Sequence, residues 1–214
     1  YYTSRGRNIA KTYSLQASAY AELQPIKNLR IKSQVGYRMS GSSSRSYTMK
    51  YELSGGRYET NDEVSQSMSL NHRLTWENTA SYHFDINDDH VFDVVAGQSI
   101  EKWGMGESVS GEAFNSIFLN DFDRAYLSNT KPEGMNQIGV SGRPSTKGAL
   151  ASFFGRVNYN LKETYLFSAT LRADGSSNFA RGNRWGVFPS VSAGWILTNE
   201  SWMENSSNWL DFLK

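Results

Sequence analysis

Apolar and polar residues alternate along most of this chain with a period of two, the repeat of a strand with one greasy face and one wet face. In "TYSLQASAYAEL", Tyr13, Leu15, Ala17, Ala19, Ala21 and Leu23 form one set, and Thr12, Ser14, Gln16, Ser18 and Glu22 form the other. "LRIKSQVGYRM" sets Leu29, Ile31, Val35, Tyr37 and Met39 against Arg30, Lys32, Gln34 and Arg38. In "MSLNHRLTWENTASYHF" the apolar set is Met68, Leu70, Leu74, Trp76, Ala80, Tyr82 and Phe84, broken by His72. "TYLFSATLRAD" sets Tyr165, Phe167, Ala169, Leu171 and Ala173 against Ser168, Thr170, Arg172 and Asp174. The pattern predicts an all-β antiparallel protein. Seven strands are expected near 12–24, 29–39, 67–85, 91–101, 150–161, 164–174 and 187–198, with an eighth beginning near 209.

A soluble sandwich alternates too, so length and connections have to decide. The predicted strands run to roughly 10–15 residues, where soluble strands usually have about 5–6. Strands that cross a bilayer obliquely need about 9–11. The connections also alternate in length. "PIKN" at 25–28, "NDDH" at 87–90 and "LKET" at 161–164 are tight turns, while the polar spans 40–66, 102–148 and 174–186 are long. Membrane barrels have this asymmetry, with short periplasmic turns and long extracellular loops. The expected architecture is therefore a section of a transmembrane β-barrel. Leu15, Ala17, Leu29, Ile31, Leu70, Leu74, Phe167, Ala169, Leu171, Val191 and Ala193 should face lipid. Arg30, Lys32, Gln34, Asn71, Arg73 and Thr75 should face a wet lumen. Tyr20, Tyr82, Phe84, Tyr159, Tyr165 and Trp195 suit interfacial girdles. The competing reading is a secreted β-sandwich that binds a surface glycan.

Composition narrows the functional classes. The 214 residues contain no cysteine, which excludes thiolate metal sites, a Cys nucleophile and a disulfide framework. A net charge of +1 gives no global field for nucleic acid. No run of 18 apolar residues is present, so no transmembrane helix is expected. The chain opens at "YYTSRGRN" and stops at "NWLDFLK", which suggests an internal piece of a longer protein. Seven antiparallel strands would leave open edges near Thr12–Leu23 and Phe188–Thr198, so the piece should be ordered only within a larger barrel.

Candidate chemistry is sparse. His72, His83 and His90 are assigned to different faces or a turn, without convergent carboxylates, and no metal is expected. "NDFD" at 120–123 lacks the Gly and terminal Glu of an EF-hand loop. "GMGES" at 104–108 lacks the Lys-Ser/Thr end of a phosphate loop. "NES" at 199–201 and "NSS" at 205–207 match glycosylation acceptors, tripeptides that are common by chance. No catalytic constellation stands out, so neither enzyme nor cofactor is expected. The span 102–148 is too long for an idle connection. Its Trp103, Phe114, Phe118, Phe122 and Tyr126 favour ordered packing and make it a candidate contact for a partner or substrate.

The densest polar punctuation lies between 171 and 195, in "LRADGSSNFARGNRWGVFPSVSAGW". This reads as a strand leaving the membrane, an outer hairpin and a returning strand. Gly175 and Gly182 are expected to supply turn conformations. Arg172, Asp174, Arg184 and Trp185 are expected to hold the hairpin in a fixed shape.

Around it, "FFGRVNYNLKETYLFSATLRADGSSNFARGNRWGVFPSVSAGWILTNESWM" resembles the barrel signature of SusC/RagA-type TonB-dependent transporters, from about residue 150 to 204. Gly175 and Pro189 belong to that signature with the four residues above. "AELQPIKNLRIKSQVGY" and "HVFDVVAGQSIEKW" resemble earlier barrel segments of the family. The resemblance implies that residues 1–214 are part of a barrel of about 22 strands, without the plug domain. It further implies a Gram-negative outer-membrane importer of oligosaccharides or peptides. A SusD-like surface lipoprotein would cap it, and the TonB complex would energise it through N-terminal segments outside this sequence.

Overall fold

A computed structural model describes residues 6–53, 57–87, 89–131, 133, 138–206 and 209–214. Residues 1–5 of the opening segment, Asp88 of the second turn, positions inside the spans 40–66 and 102–148, and Ser207 of "NSS" lie outside them.

Eleven strands are described: β1 (Gly6–Ile26), β2 (Leu29–Thr48), β3 (Tyr51–Leu53), β4 (Arg57–Glu59), β5 (Glu63–Ile86), β6 (His90–Trp103), β7 (Glu107–Phe114), β8 (Ile138–Pro144), β9 (Gly148–Leu161), β10 (Tyr165–Ser176) and β11 (Trp185–Trp195). The main sheet has the order β1-β2-β5-β6-β9-β10-β11, with β7 paired to β5 and to β8. β3 and β4 form a separate hairpin. The main path thus ends at β1 and β11, the edges expected from the sequence, and β8, paired to β7 alone, leaves a further edge. Pro189, with no N–H to give, sits in the end strand opposite Leu171.

The three tight turns use left-handed backbone. Asn28 (φ 68°), Asn87 (φ 57°), Lys162 (φ 54°) and Glu163 (φ 52°) all have positive φ. Asn tolerates this region better than most residues, which is why two of the turns carry it.

Two strands run longer than expected. β2 extends to Thr48 and β5 begins at Glu63, beyond the clear alternation. At the positions of apolar parity Gly41, Ser43, Arg45 and Gln66 stand where large apolar residues would be, so the period-two signal fades. The span 102–148 is likewise not one irregular connection, since it contains β7 and β8. β7 continues β6 across a bulge. Leu74 pairs with Lys102, but Leu70 pairs with Glu107, so β6–β7 holds one residue more than β5 over that interval. Gly104 (φ 73°) sits in the bulge, and a Cβ there would lie 2.0 Å from the Thr146 carbonyl oxygen.

Two further expectations are corrected. β11 ends at Trp195, and among the described residues no strand begins near 209. The chain turns instead through 3-10 segments at Leu197–Asn199 and Ser201–Ser206. Glu200 helps to fix this turn by accepting from Tyr165 Oη at 2.6 Å and Trp195 Nε1 at 3.0 Å. Tyr20 is not a girdle residue. It stands on the polar face of β1, with Lys32 Nζ 4.6 Å from its ring centre.

The chain divides into two compact units. One comprises residues up to Ala17, Tyr37–Arg73 and Trp103–Lys147. It holds the buried apolar cluster Tyr47, Val64, Phe122 and Ala125, ringed by Ile9, Met49 and Leu127. Ile9, Tyr47 and Val64 share the parity of the apolar faces of β1, β2 and β5. The irregular segment 115–131 therefore covers the greasy side of these strands.

The other unit comprises Ser18–Gly36, Leu74–Lys102 and Gly148–Lys214. Among its described residues no large apolar side chain is buried. Phe167, Leu171 and Val191 are exposed on one face, Val191 to 83%. The register places Ala169 between Val157 and Val191, and Phe167 between Tyr159 and Ala193. A soluble sandwich would bury this face. Here it is continuous and uncovered, as a lipid-facing wall requires.

Candidate functional site: the polar face and its rim

Serine lines the polar face of the first unit. Ser44 bonds Ser67 at 2.7 Å, Ser67 pairs in register with Ser110, and Ser110 bonds Ser141 at 2.7 Å. The row crosses β2, β5, β7 and β8. Parallel contacts join Ser42 to Ser69 at 2.8 Å and Ser46 to Ser65 at 2.7 Å. Each hydroxyl both donates and accepts, so such rows satisfy themselves while still offering lone pairs to a solute.

Beside these rows lies a cavity of about 730 Å³, lined by Arg38, Asn71, Arg73, Trp103, Ser108 and Arg143 among others. No acidic side chain lines it. The bulge at Gly104 shapes this wall, because Trp103 ends β6 and Ser108 pairs with Ser69 in the offset register of β7. Of the five aromatics singled out in the span 102–148, only Trp103 lines this cavity.

Phe118, Phe122 and Tyr126 belong instead to the 115–131 segment, and Phe114 closes β7 before it. Phe122 is buried. The Arg45 guanidinium lies 4.4 Å from the Phe122 ring centre and 4.0 Å from that of Tyr126. Arg7 lies 4.6 Å from the Phe122 ring centre, and Arg124 lies 4.3 Å from that of Phe118. Cation–π contacts of this kind fix a loop without a large core. The acidic pair in "NDFD" also has protein partners. Asp121 accepts from Arg124 Nε at 2.6 Å, which holds its carboxyl below the usual range, and Asp123 lies 3.8 Å from Arg7.

The 171–195 hairpin is held by many polar contacts. Arg172 Nε donates to both carboxylate oxygens of Asp174 at 2.9 Å, and Arg172 Nη2 donates to Ser152 at 3.1 Å. Arg184 Nε donates to the Phe179 carbonyl at 3.1 Å. The Ser176 amide donates to the Arg184 carbonyl at 2.9 Å. Trp185 stacks on Phe153 with centroids 6.0 Å apart. Gly182 has φ 96° and fits the turn role. Gly175 does not: it pairs in the strand with Trp185, whose ring a Cβ would approach to 2.7 Å. That glycine makes room for an indole.

In the second unit, aromatics form a row next to the tight turns. Centroids are 5.5 Å apart for Tyr82–Phe84, 4.9 Å for Phe84–Phe92, 4.6 Å for Phe92–Tyr159 and 6.1 Å for Tyr159–Phe167. Tyr165 stacks on Trp195 at 6.2 Å. Trp185 begins β11, at the end away from these turns, and stacks on Phe153 inside β9. The residues from Trp185 to Trp195 span about 33 Å along a strand, or about 25 Å of height at the usual tilt. That is the apolar band of an outer-membrane barrel.

The histidines need one correction. His72 bonds Tyr37 at 2.6 Å and His90 bonds Tyr159 at 2.8 Å, both on apolar faces. His83, however, does meet carboxylates: Asp93 at 2.7 Å and Asp85 at 3.3 Å. Strand pairing brings Asp93 opposite His83, a neighbour ten residues away that spacing did not reveal. Among the described residues no group of three or more His, Cys, Asp or Glu is arranged to hold a metal.

These features define a section of an antiparallel transmembrane β-barrel. The model of the family described as "TonB dependent receptor-like, beta-barrel" matches residues 1–204, and the chain belongs to that family. TonB-dependent receptor P39 of Formosa agariphila is 33% identical over 139 residues, covering 64% of this chain and 12% of that protein. TonB-dependent receptor SusC of Bacteroides thetaiotaomicron is 26% identical over 180 residues, covering 84% of this chain and 16% of the relative. The RagAB peptide transporter structure matches in fold with a TM-score of 0.78 at 22% identity, over 94% of this chain and 21% of that one. The chain thus spans less than a fifth of the length of these two curated relatives. The family is one of receptors and transporters rather than enzymes, and the secreted sandwich is not favoured.

Proposed function

We propose that the whole protein is an active transporter of the Gram-negative outer membrane, and that this chain is part of its barrel wall. Its cargo is large nutrients, oligosaccharides or peptides. A SusD-like lipoprotein caps the outer mouth, and the TonB complex supplies energy through segments outside this sequence. The observation that carries the reading is the family match over residues 1–204. Relatives named for SusC and for a RagAB peptide transporter support the cargo class and the two-protein design.

In this reading the turns at 27–28, 87–89 and 162–164 are periplasmic. The serine-lined ends of β2, β5, β7 and β8, the 115–131 segment and the 171–195 hairpin stand outside the cell. Arg172, Asp174, Gly175, Arg184, Trp185 and Pro189 give the rim its shape rather than touching cargo. An ordered rim exposed to water needs internal hydrogen bonds of this kind, because water competes for every donor. Trp103 faces cargo. Phe114, Phe118, Phe122 and Tyr126 hold the covering segment, which is placed to meet the lipoprotein.

The test is purification of the tagged full-length protein from outer membranes of its host. A surface lipoprotein should copurify in stoichiometric amount, and uptake of labelled cargo should stop when TonB is deleted. A protein recovered alone, with uptake indifferent to TonB, would sink this reading.

A further inference from the structure

The polar-face cavity is a built cationic site, and we infer that it binds an acidic oligosaccharide, gripping a carboxylate or sulfate with Arg38 and Arg143 while a sugar ring stacks on Trp103. The inference rests on the transporter reading above and names the cargo class that this wall selects.

The charge comes first. Three guanidiniums, those of Arg38, Arg73 and Arg143, border a space of about 730 Å³ with no acidic lining residue. Arg38 and Arg143 have no carboxylate partner among the described residues. Several arginines elsewhere on this chain are engaged: Arg172 with Asp174, Arg124 with Asp121, and Arg45 with two aromatic rings. Two arginines without a carboxylate partner, Arg38 and Arg143, raise the local potential and attract an oxyanion. A guanidinium fork also matches the geometry of a carboxylate or sulfate.

The remaining lining distinguishes a sugar from a peptide. Asn71, Ser40, Ser69, Ser108 and Thr146 offer paired donors and acceptors suited to vicinal hydroxyls. Trp103 contributes the one indole face. A peptide would call for apolar pockets for its side chains. The lining is dominated by Arg, Asn, Ser and Thr and offers none.

The experiment uses the full-length transporter in detergent and isothermal titration calorimetry. The probes are a galacturonic acid tetramer, a sulfated tetrasaccharide, a neutral maltotetraose and an acidic tetrapeptide. Wild-type protein should bind at least one of the acidic sugars, more weakly as salt rises. Arg38→Gln and Arg143→Gln should each weaken that binding by about tenfold or more, without affecting maltotetraose. Trp103→Ala should weaken it and Trp103→Phe should restore most of it. The preferred acidic sugar reports whether the anion is carboxylate or sulfate. Acidic sugars binding equally to wild type and to the double arginine variant would overturn the inference. So would binding of the tetrapeptide alone. Uptake by the same variants, with and without TonB, is scored separately. TonB-dependent uptake with unaltered sugar binding removes only the cavity assignment, whereas TonB-independent uptake removes the transporter reading.

Discussion

Tyr47 Oη donates a 2.8 Å hydrogen bond to Asp62 Oδ2, and both residues are 1% exposed. The pair anchors the 115–131 segment. The Ser116 amide donates to Asp62 Oδ1 at 3.0 Å, the Asn115 amide to the Asp62 carbonyl at 3.1 Å, and the Asn120 amide to Tyr47 Oη at 3.0 Å. One carboxylate and one phenol thus tie a long irregular stretch to the ends of β2 and β5.

Burial, and then the bond to Asp62, push the Tyr47 phenol up to about 12 from its ordinary value of 10. Its stabilising contribution is therefore complete below pH 10 and fades as the pH rises towards 12. In the full-length protein, tyrosinate absorbance should show a late-ionising phenol that Tyr47→Phe removes. That substitution leaves a buried carboxylate short of a donor, a loss of about 1–3 kcal/mol. Trypsin cleavage after Arg124 should rise about tenfold. Unchanged cleavage would mean that the segment is held by its cation–π contacts instead.

Ala169 sits between Val157 and Val191 on the exposed apolar face. Arginine placed there should destabilise the barrel in lipid by about 2–4 kcal/mol if the site lies near the midplane. Unfolding of the full-length protein in vesicles by guanidinium measures this. Equal stability of the variant would reverse the assignment of faces.

The hairpin gives the topology a direct readout. Asn178→Cys should react with a membrane-impermeant maleimide on intact cells, and Lys162→Cys should not. The reverse labelling pattern would place the tight turns outside.

Gly104 combines a φ of 73° with a Cβ position 2.0 Å from the Thr146 carbonyl oxygen. Gly104→Ala should cost about 1–3 kcal/mol through backbone strain and should shift Trp103. Trp103 fluorescence, isolated by comparison with Trp103→Phe, should change in the same variant. An unmoved emission spectrum would show that the bulge does not set the position of the indole.

The sequence by itself determined the strand faces and the tight turns. Alternation such as Phe167-Ala169-Leu171 against Ser168-Thr170-Arg172 can be satisfied only by a pleated strand between a greasy and a wet environment. Asn28 and Asn87 mark turns through their own tolerance of positive φ. Both signals are local, so no partner is needed to read them. Strand identity was lost where Gly41, Ser43, Arg45 and Gln66 hold the apolar parity of β2 and β5, because such residues leave no periodic trace.

Only the tertiary structure decided which distant residues meet. Asp93 reaches His83 through the β5–β6 register. Gly175 is explained by the Trp185 ring across the strand pair rather than by a turn. The one-residue offset at Gly104 brings Trp103 and Arg143 to the wall that also holds Arg38. Shifting a register by one residue moves side chains to the opposite face of a sheet. The chemistry of this wall therefore depends on a bulge whose position the alternation did not reveal.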